Sequence, residues 1–163
     1  MMDYAVQQAK GPVCIRYPRG CEIDLPADFV QSDNAWDVYG DSDAPVTLVT
    51  YGRLFSQAAQ ALEILKAQGI SARIIKLNRV LPIDYFAIQA AAQSEQVYFF
   101  EEGVRSGGAG ERFGAALLET GFSGKYKITA VEGGFVPQAD VASLLRRYKL
   151  DAEGMAEIIT ATA

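Results

Sequence analysis

Two adjacent carboxylates, Glu101 and Glu102, end an apolar run, and a glycine-rich turn follows them. The turn contains Gly107, Gly108 and Gly110, and it precedes a segment with helical periodicity. A helix N-terminus presents unpaired N–H groups and positive potential, and ligands of open α/β sheets gather at the carboxyl ends of strands. Glu102 and the three glycines therefore form a candidate turn for binding an anion.

The same turn has a second interpretation, in which the glycines bring strand and helix close to a neighbouring backbone or form an interface. The spacing of Gly108, Gly110 and Gly114 is one residue too long for the G-x-G-x-x-G pattern of dinucleotide sites. Close packing or an interface is therefore the favoured interpretation. Neighbouring strand residues point to opposite faces, so Glu101 and Glu102 are not expected to act as an acid–base pair. We expect one glutamate to face a cleft and the other to cap a helix or form an ion pair.

A second candidate lies near the start of the chain, where Arg16 and Arg19 flank Pro18 in the segment RYPRG. Arginine binds phosphate and carboxylate groups bidentately, and a stiff backbone reduces the entropy lost on binding. Two arginines in such a position are more often partners in surface ion pairs, and spacing alone favours that interpretation.

The composition excludes several classes of protein. The 163 residues include no histidine, which removes the commonest general base and metal ligand, and we predict neither catalytic residues nor a metal site. The net charge of -5 argues against nucleic acid as a partner. No apolar run approaches membrane length and the start lacks a signal core. Cys14 and Cys21 form no CxxC pair. These features favour a soluble, cytoplasmic protein.

Apolar runs alternate with segments of helical periodicity along most of the chain. Leu54, Ala58 and Leu65 lie on one predicted helix face, and Gly69 ends that helix. Further strands are predicted at 71–77, 96–100 and 126–131, and further helices at 82–93, 108–120, 138–147 and 152–160. The alternation predicts a three-layer α/β/α fold with a mainly parallel sheet of five strands. The first strand, at 36–39, is predicted to be antiparallel through a hairpin with 46–51.

The first residues have a different character. Residues 4–10 resemble the end of a helix that leads into a strand at 13–17, and so short a helix has little to pack against. Residues 1–20 are therefore predicted to be the tail of a preceding domain. Residues 21–35 are rich in polar and turn-forming side chains and are predicted to be a linker, and residues 36–163 form the main domain.

Six motifs together resemble one family. In order they are GPVCIRYPRG, VTLVTYG, RVLPID, VYFFEEG followed by GGAG, GGFVPQ and LDAEGM. They resemble, in order and spacing, the C-terminal region of the 1-deoxy-D-xylulose-5-phosphate synthases, which are thiamine-diphosphate enzymes of the transketolase type. VTLVTYG and LPID are also similar to transketolases and to the beta subunits of 2-oxo acid dehydrogenases.

The resemblance implies a three-domain enzyme that joins decarboxylated pyruvate to D-glyceraldehyde 3-phosphate. Its first two domains hold thiamine diphosphate and Mg²⁺, and GPVCIRYPRG is similar to the last strand of the middle, pyrimidine-binding domain. By match to RYPRG, Arg19 is implied to help hold the phosphate of the acceptor. The cofactor and the catalytic residues would belong to those other domains, on the same chain or on a separate subunit of a homodimeric assembly. The fragment alone would be inactive.

The turn departs from the synthase pattern, since Gly103 follows the two glutamates where synthases have an EEN-type sequence. Two other interpretations therefore stay open. The chain is alternatively the C-terminal interface module of a split transketolase or of a 2-oxo acid dehydrogenase beta subunit. A free-standing α/β protein that binds an anion at residues 107–110 is the third.

Overall fold

The computed structural model describes residues 2–18 and 25–161. The strands are β1 (Trp36–Gly40), β2 (Val46–Tyr51), β3 (Ala72–Leu77), β4 (Gln96–Val104) and β5 (Lys125–Val131). The helices are α1 (Met2–Gln7), α2 (Leu54–Ala67), α3 (Tyr85–Ala91), α4 (Ala109–Glu119), α5 (Val141–Arg147) and α6 (Ala152–Thr160). The strands form one sheet in the order β1-β3-β2-β4-β5.

Helices cover both faces of this sheet. Helices α2, α5 and α6 pack on one face around Leu48, and helices α3 and α4 pack on the other around Val49. Both side chains are fully buried, as expected for neighbouring residues of a central strand with two covered faces. Strands β2, β3, β4 and β5 run parallel, and β1 is antiparallel to β3. The predicted α/β/α fold with five strands is confirmed.

Strand β1 does not form the predicted hairpin with β2. It pairs with β3, where Trp36 lies opposite Leu77, and β3 separates it from β2. The β2-α2-β3 unit is a parallel crossover, and its second strand takes the place beside β2 that the hairpin needed. The hairpin prediction was therefore wrong, whereas the antiparallel direction of β1 is confirmed.

Two helices begin later than the sequence predicted. Helix α3 was expected from Pro82 and helix α5 from Gln138, but each begins directly after an aspartate. The carboxylates of Asp84 and Asp140 accept hydrogen bonds of 2.9 Å from backbone N–H groups in the first turn. Such capping satisfies otherwise unpaired amides, so the aspartates set the first helical residue.

The segment before the sheet is only partly regular. Within the described residues, α1 is helical, but residues 13–17 form neither helix nor strand, and their assignment to a strand of a preceding domain stays a prediction. A strand needs a neighbour for its backbone hydrogen bonds, and strands β1 to β5 pair with one another. The boundaries predicted at residues 20 and 35 stay predictions.

Residues 25–35 contact the domain although they form no helix or strand. The ring of Phe29 packs against Phe55 of helix α2 and against Tyr39 of β1, with centroid distances of 4.4 and 5.9 Å. Aromatic contacts at these distances stabilise the packing. This part of the predicted linker is therefore attached to the sheet. Among the described helices, none is both long enough and apolar enough to cross a membrane.

Candidate functional site

The carboxyl ends of the parallel strands place the candidate acids beside a tyrosine. Strand β2 ends at Tyr51, and the parallel strand β4 next to it carries Glu101 and Glu102. Helix α4 begins shortly after β4, at Ala109. Side chains at this edge of an open α/β sheet converge because parallel strands end on the same side.

Glu101 is buried at the start of helix α4, with 1% of its surface exposed. Its carboxylate accepts hydrogen bonds from the backbone N–H groups of Ala109 at 3.1 Å and Gly110 at 3.0 Å. It accepts a third from the hydroxyl of Tyr51, at 3.1 Å. A carboxylate in this place satisfies unpaired amides and complements the positive end of the helix. The anion at this helix start is thus supplied by the chain itself.

The other two amides of the turn are also bonded within the chain. The N–H of Gly107 donates to the carboxylate of Glu111 at 2.8 Å, and the N–H of Gly108 donates to the carbonyl of Arg105 at 3.0 Å. An external anion would have to displace these partners or Glu101. This geometry favours close packing at Gly107, Gly108 and Gly110, and the anion and interface roles of the turn stay predictions.

The glycines of the turn are explained by the space that Glu101 needs. A Cβ atom on Gly108 would lie 2.5 Å from Oε1 of Glu101 and 2.7 Å from the carbonyl oxygen of Val104. A Cβ on Gly110 would lie 3.0 Å from the same carboxylate oxygen. Gly107 has φ +75°, a conformation that side chains rarely adopt. The close approach inferred from the sequence is therefore real, and its partner includes a carboxylate.

The side chain of Glu102 lies on the opposite face of the sheet from that of Glu101, and it pairs with Arg53. Both of its carboxylate oxygens lie 2.9 Å from Nε of Arg53, and Nη2 of Arg53 lies 2.5 Å from Oε1. Arg53 precedes helix α2, whereas Glu101 faces helix α4. The predicted opposite orientation of Glu101 and Glu102 is confirmed. We expected one of them to face a cleft, but both are bound by groups of the chain.

Burial keeps the tyrosine hydroxyls of this site protonated. Burial, and after it the charge of Glu101, raise the pKa of Tyr51 to about 12, and Arg16 opposes the shift. Burial and then Glu101 also raise the pKa of Tyr126, whose hydroxyl donates to the carbonyl of Gly110 at 2.6 Å. Both phenols therefore act as hydrogen-bond donors at neutral pH.

Sequence reasoning missed Tyr51 and Arg53. The signal was present, since Tyr51 ends the buried strand β2 and Arg53 lies two residues later, much as Glu101 and Glu102 lie near the end of β4. The guanidinium of Arg16 lies 6.0 Å from the ring centroid of Tyr51, so Arg16 reaches this edge of the sheet. Arg19, the candidate phosphate ligand, lies outside the described residues.

Among the residues that the structure describes, no three His, Cys, Asp or Glu side chains come together as a ligand set for a metal ion. The carboxylates at the sheet edge, Glu101 and Glu102, are held by backbone amides and by Arg53. We therefore derive no chemical step through a cofactor from these residues.

Comparison with known proteins identifies the fold. Residues 39–155 match the family model of the transketolase C-terminal domain. The 1-deoxy-D-xylulose-5-phosphate synthase of Clostridium botulinum (strain Alaska E43 / Type E3) is 29% identical over 162 residues, which cover 98% of this chain and 26% of the relative. The synthase of Pelotomaculum thermopropionicum is 32% identical over 158 residues, covering 93% of this chain and 24% of the relative.

A solved structure described as split gene transketolase, inactive beta4 tetramer, superposes with a TM-score of 0.73. It is 24% identical, and the match covers 87% of this chain and 46% of that chain. The present chain spans about a quarter of the length of the curated relatives. The family match begins within strand β1 and ends within helix α6, and it includes the strands and helices between them. The chain belongs to the family of transketolase C-terminal domains.

Proposed function

We propose that this chain is the third domain of a thiamine-diphosphate-dependent synthase that makes 1-deoxy-D-xylulose 5-phosphate from pyruvate and D-glyceraldehyde 3-phosphate. One observation carries the proposal. The match to a relative of that name covers 98% of the chain, whereas the domain family covers only residues 39–155. The similarity therefore continues through the segment before the domain, which contains RYPRG. A shared domain alone does not explain similarity outside that domain.

In this proposal the domain has a structural role and leaves the chemistry to its partners. Glu101 and Glu102 fix the turn and the ends of strands β2 and β4, which supports a structural part rather than proton transfer. Thiamine diphosphate and Mg²⁺ are assigned to the remaining domains, on the same polypeptide or on a separate subunit. The proposed assembly is a cytoplasmic homodimer, as the resemblance implies.

Reconstitution tests this proposal. The chain is assayed alone and together with the cofactor-binding domains of its own enzyme, with pyruvate and D-glyceraldehyde 3-phosphate as substrates. We expect turnover and release of CO₂ only from the combination. Calorimetric titration of the chain alone with thiamine diphosphate and Mg²⁺ should show no binding. Micromolar binding by the chain alone, or turnover without the partner domains, would overturn the proposal.

Arg19 is proposed to hold the phosphate of the acceptor, and the match to RYPRG supports this. A guanidinium binds phosphate by two parallel hydrogen bonds, which an alanine cannot replace. In the complete enzyme, Arg19→Ala should raise KM for D-glyceraldehyde 3-phosphate far more than KM for pyruvate. Lys10→Ala removes an exposed positive charge from the same segment and is the matched control. An equal effect of Arg19→Ala on both substrates would contradict the assignment.

The alternative is a C-terminal module of a split transketolase, and the structural similarity to the split gene transketolase is the observation that favours it. The same reconstituted assembly distinguishes the two functions by its substrates. A split transketolase would transfer a two-carbon unit from a ketose phosphate to an aldose phosphate and release no CO₂ from pyruvate. Release of CO₂ from pyruvate without ketose transfer would exclude this alternative.

A further inference from the structure

The contact between Arg16 and Tyr51 joins two parts of the chain that the sheet does not connect. Arg16 lies in residues 12–18, which form neither helix nor strand, and Tyr51 is the last residue of strand β2. The guanidinium carbon of Arg16 lies 6.0 Å from the centroid of the Tyr51 ring. This distance is within the range in which a cation is attracted to the face of an aromatic ring.

Tyr51 is held in a defined orientation. Its hydroxyl donates to Oε2 of Glu101 at 3.1 Å, and its ring packs against Phe99 with a centroid distance of 6.4 Å. Glu101 is itself fixed by two amides of helix α4. The ring therefore does not have to be ordered when Arg16 docks, and a preorganised partner loses less entropy on binding. The raised pKa of Tyr51 keeps its hydroxyl as a donor to Glu101.

The segment that carries Arg16 has few other constraints. Arg16 and Tyr17 are exposed, and no strand of the described sheet pairs with residues 12–18. Backbone outside a sheet or helix is ordered chiefly by its side-chain contacts. Pro18 has a fixed φ angle, so a constraint at Arg16 restricts the direction in which the chain continues.

We propose that Tyr51, oriented by Glu101, is a positioning residue that docks Arg16 and thereby holds residues 13–18 at the carboxyl end of the sheet. The structural part of this inference stands on Arg16, Tyr51 and Glu101. Its consequence for the reaction rests on the proposed function, because the candidate phosphate ligand, Arg19, follows Arg16 by three positions in the sequence. The domain would thus contribute to acceptor binding by holding residues 13–18 at the carboxyl end of the sheet.

A native cysteine allows the docking of Arg16 to be measured by spin labelling. Cys14 is exposed and lies two positions before Arg16, so a nitroxide spin label on Cys14, in a Cys21→Ser background, reports the mobility of the segment. Tyr51→Leu and Arg16→Gln should each reduce the ratio of immobile to mobile label by about two- to five-fold, the range expected for an exposed cation–π contact. The double variant should reduce it no further, because both changes remove the same contact.

Three further variants make this result specific. Arg16→Lys keeps the cation and should retain most of the immobile label. Tyr51→Phe keeps the ring face but loses the bond to Glu101 that orients it, so its effect should lie between those of the unchanged protein and Tyr51→Leu. Arg53→Gln breaks the neighbouring ion pair with Glu102 and should leave the label unchanged. Circular dichroism confirms that each variant is folded. An unchanged label in folded Tyr51→Leu, or additive effects in the double variant, would overturn the docking.

A kinetic measurement on the complete, cofactor-loaded enzyme tests the consequence. Tyr51→Leu should raise KM for D-glyceraldehyde 3-phosphate and leave kcat unchanged, and it should not affect KM for unphosphorylated D-glyceraldehyde. A fall in kcat with both acceptors would contradict a positioning role. If the label becomes mobile while KM for both acceptors stays the same, docking is supported and its consequence for acceptor binding is overturned. The phosphate role of Arg19 is tested separately by Arg19→Ala, so the two failures are distinguishable.

Discussion

The carboxylate of Glu101 lies 3.0 Å from the backbone nitrogen of Gly110, at the start of helix α4. In nucleotide-binding α/β proteins a phosphate occupies this kind of position, since helix N-terminal amides attract anions. Here a buried side chain of the preceding strand takes the place of the ligand. Glycines at 108 and 110 leave the space that the carboxylate needs. The turn therefore resembles a ligand site in sequence and serves as an internal helix cap in structure.

Removal of the cap should destabilise the domain. Glu101→Ala leaves the amides of Ala109 and Gly110 without their acceptor, and Glu101→Gln keeps one neutral acceptor. We expect losses in the free energy of unfolding of about 2–3 kcal/mol for alanine and roughly 1 kcal/mol for glutamine. Urea denaturation followed by circular dichroism measures both. Glu102→Gln is the control, because its partly exposed pair with Arg53 contributes less than about 1 kcal/mol. Equal losses at both glutamates would contradict the capping role.

Gly110→Ala should also destabilise, although alanine is normally the better helix former by about 1 kcal/mol. The added Cβ would lie 2.9 Å from Cγ2 of Ile128 and 3.0 Å from Oε1 of Glu101. Crowding of this kind in a packed region costs about 1–3 kcal/mol. Gly11→Ala is the matched control, since a Cβ there meets no atom within 4 Å. A more stable Gly110→Ala protein in thermal unfolding would refute the close approach of helix and carboxylate.

The orientation of the two glutamates was predictable, but their partners were not. Alternation along a strand places Glu101 and Glu102 on opposite faces from the sequence alone. Tyr51 lies 50 positions from Glu101, and only the parallel pairing of β2 with β4 brings them together. The anion hypothesis for the turn rested on local spacing, which cannot reveal that a side chain of the same chain fills the helix start.

The layers of the fold were predictable because apolar periodicity reports which faces are buried. The position of β1 was not, since its pairing with β3 depends on the crossover that follows it rather than on the turn beside it. Arg73 gave no sequence signal either. It is buried on strand β3, which also carries the buried Lys76.

Arg73 forms a hydrogen-bond network at the amino ends of the parallel strands, opposite to the end that carries Glu101. It donates to the hydroxyl of Thr47 at 2.8 Å, to the carbonyl of Ala90 at 2.6 Å and to the carbonyl of Ser42. Burial lowers the pKa of Arg73, and Asp43 and Asp41 oppose the shift.

Arg73→Met keeps the length and apolar stem of the side chain but leaves these acceptors unpaired. We expect a loss of about 2–4 kcal/mol in the free energy of unfolding, because buried acceptors without donors are costly. Chemical denaturation measures this loss. Arg79→Met is the control, since Arg79 is exposed and pairs with Asp84 at the surface. A loss no larger than that of the control would show that the network contributes little.

Alkaline pH should destabilise the domain through Tyr51. The ordinary pKa of this phenol is 10.0, and burial raises it to about 12 in the folded protein. A group whose folded pKa is raised contributes stability that is complete below its unfolded pKa and is lost as the pH rises through the folded pKa. Unfolding should therefore become easier between about pH 10 and pH 12, and the contribution of Tyr51, reduced by its partial exposure to solvent, is roughly 2 kcal/mol across that window.

Tyr51→Phe removes this ionisation and should flatten the fall in stability above pH 10. The fall will not vanish, because burial and Glu101 raise the pKa of Tyr126 as well. Guanidinium denaturation at several pH values from 7 to 12 measures the free energy of unfolding of both proteins. Below pH 10 their difference should stay constant and report only the lost hydrogen bond to Glu101, which makes the neutral range an internal control. Parallel curves for both proteins above pH 10 would show that Tyr51 ionises as readily in the folded chain as in the unfolded one.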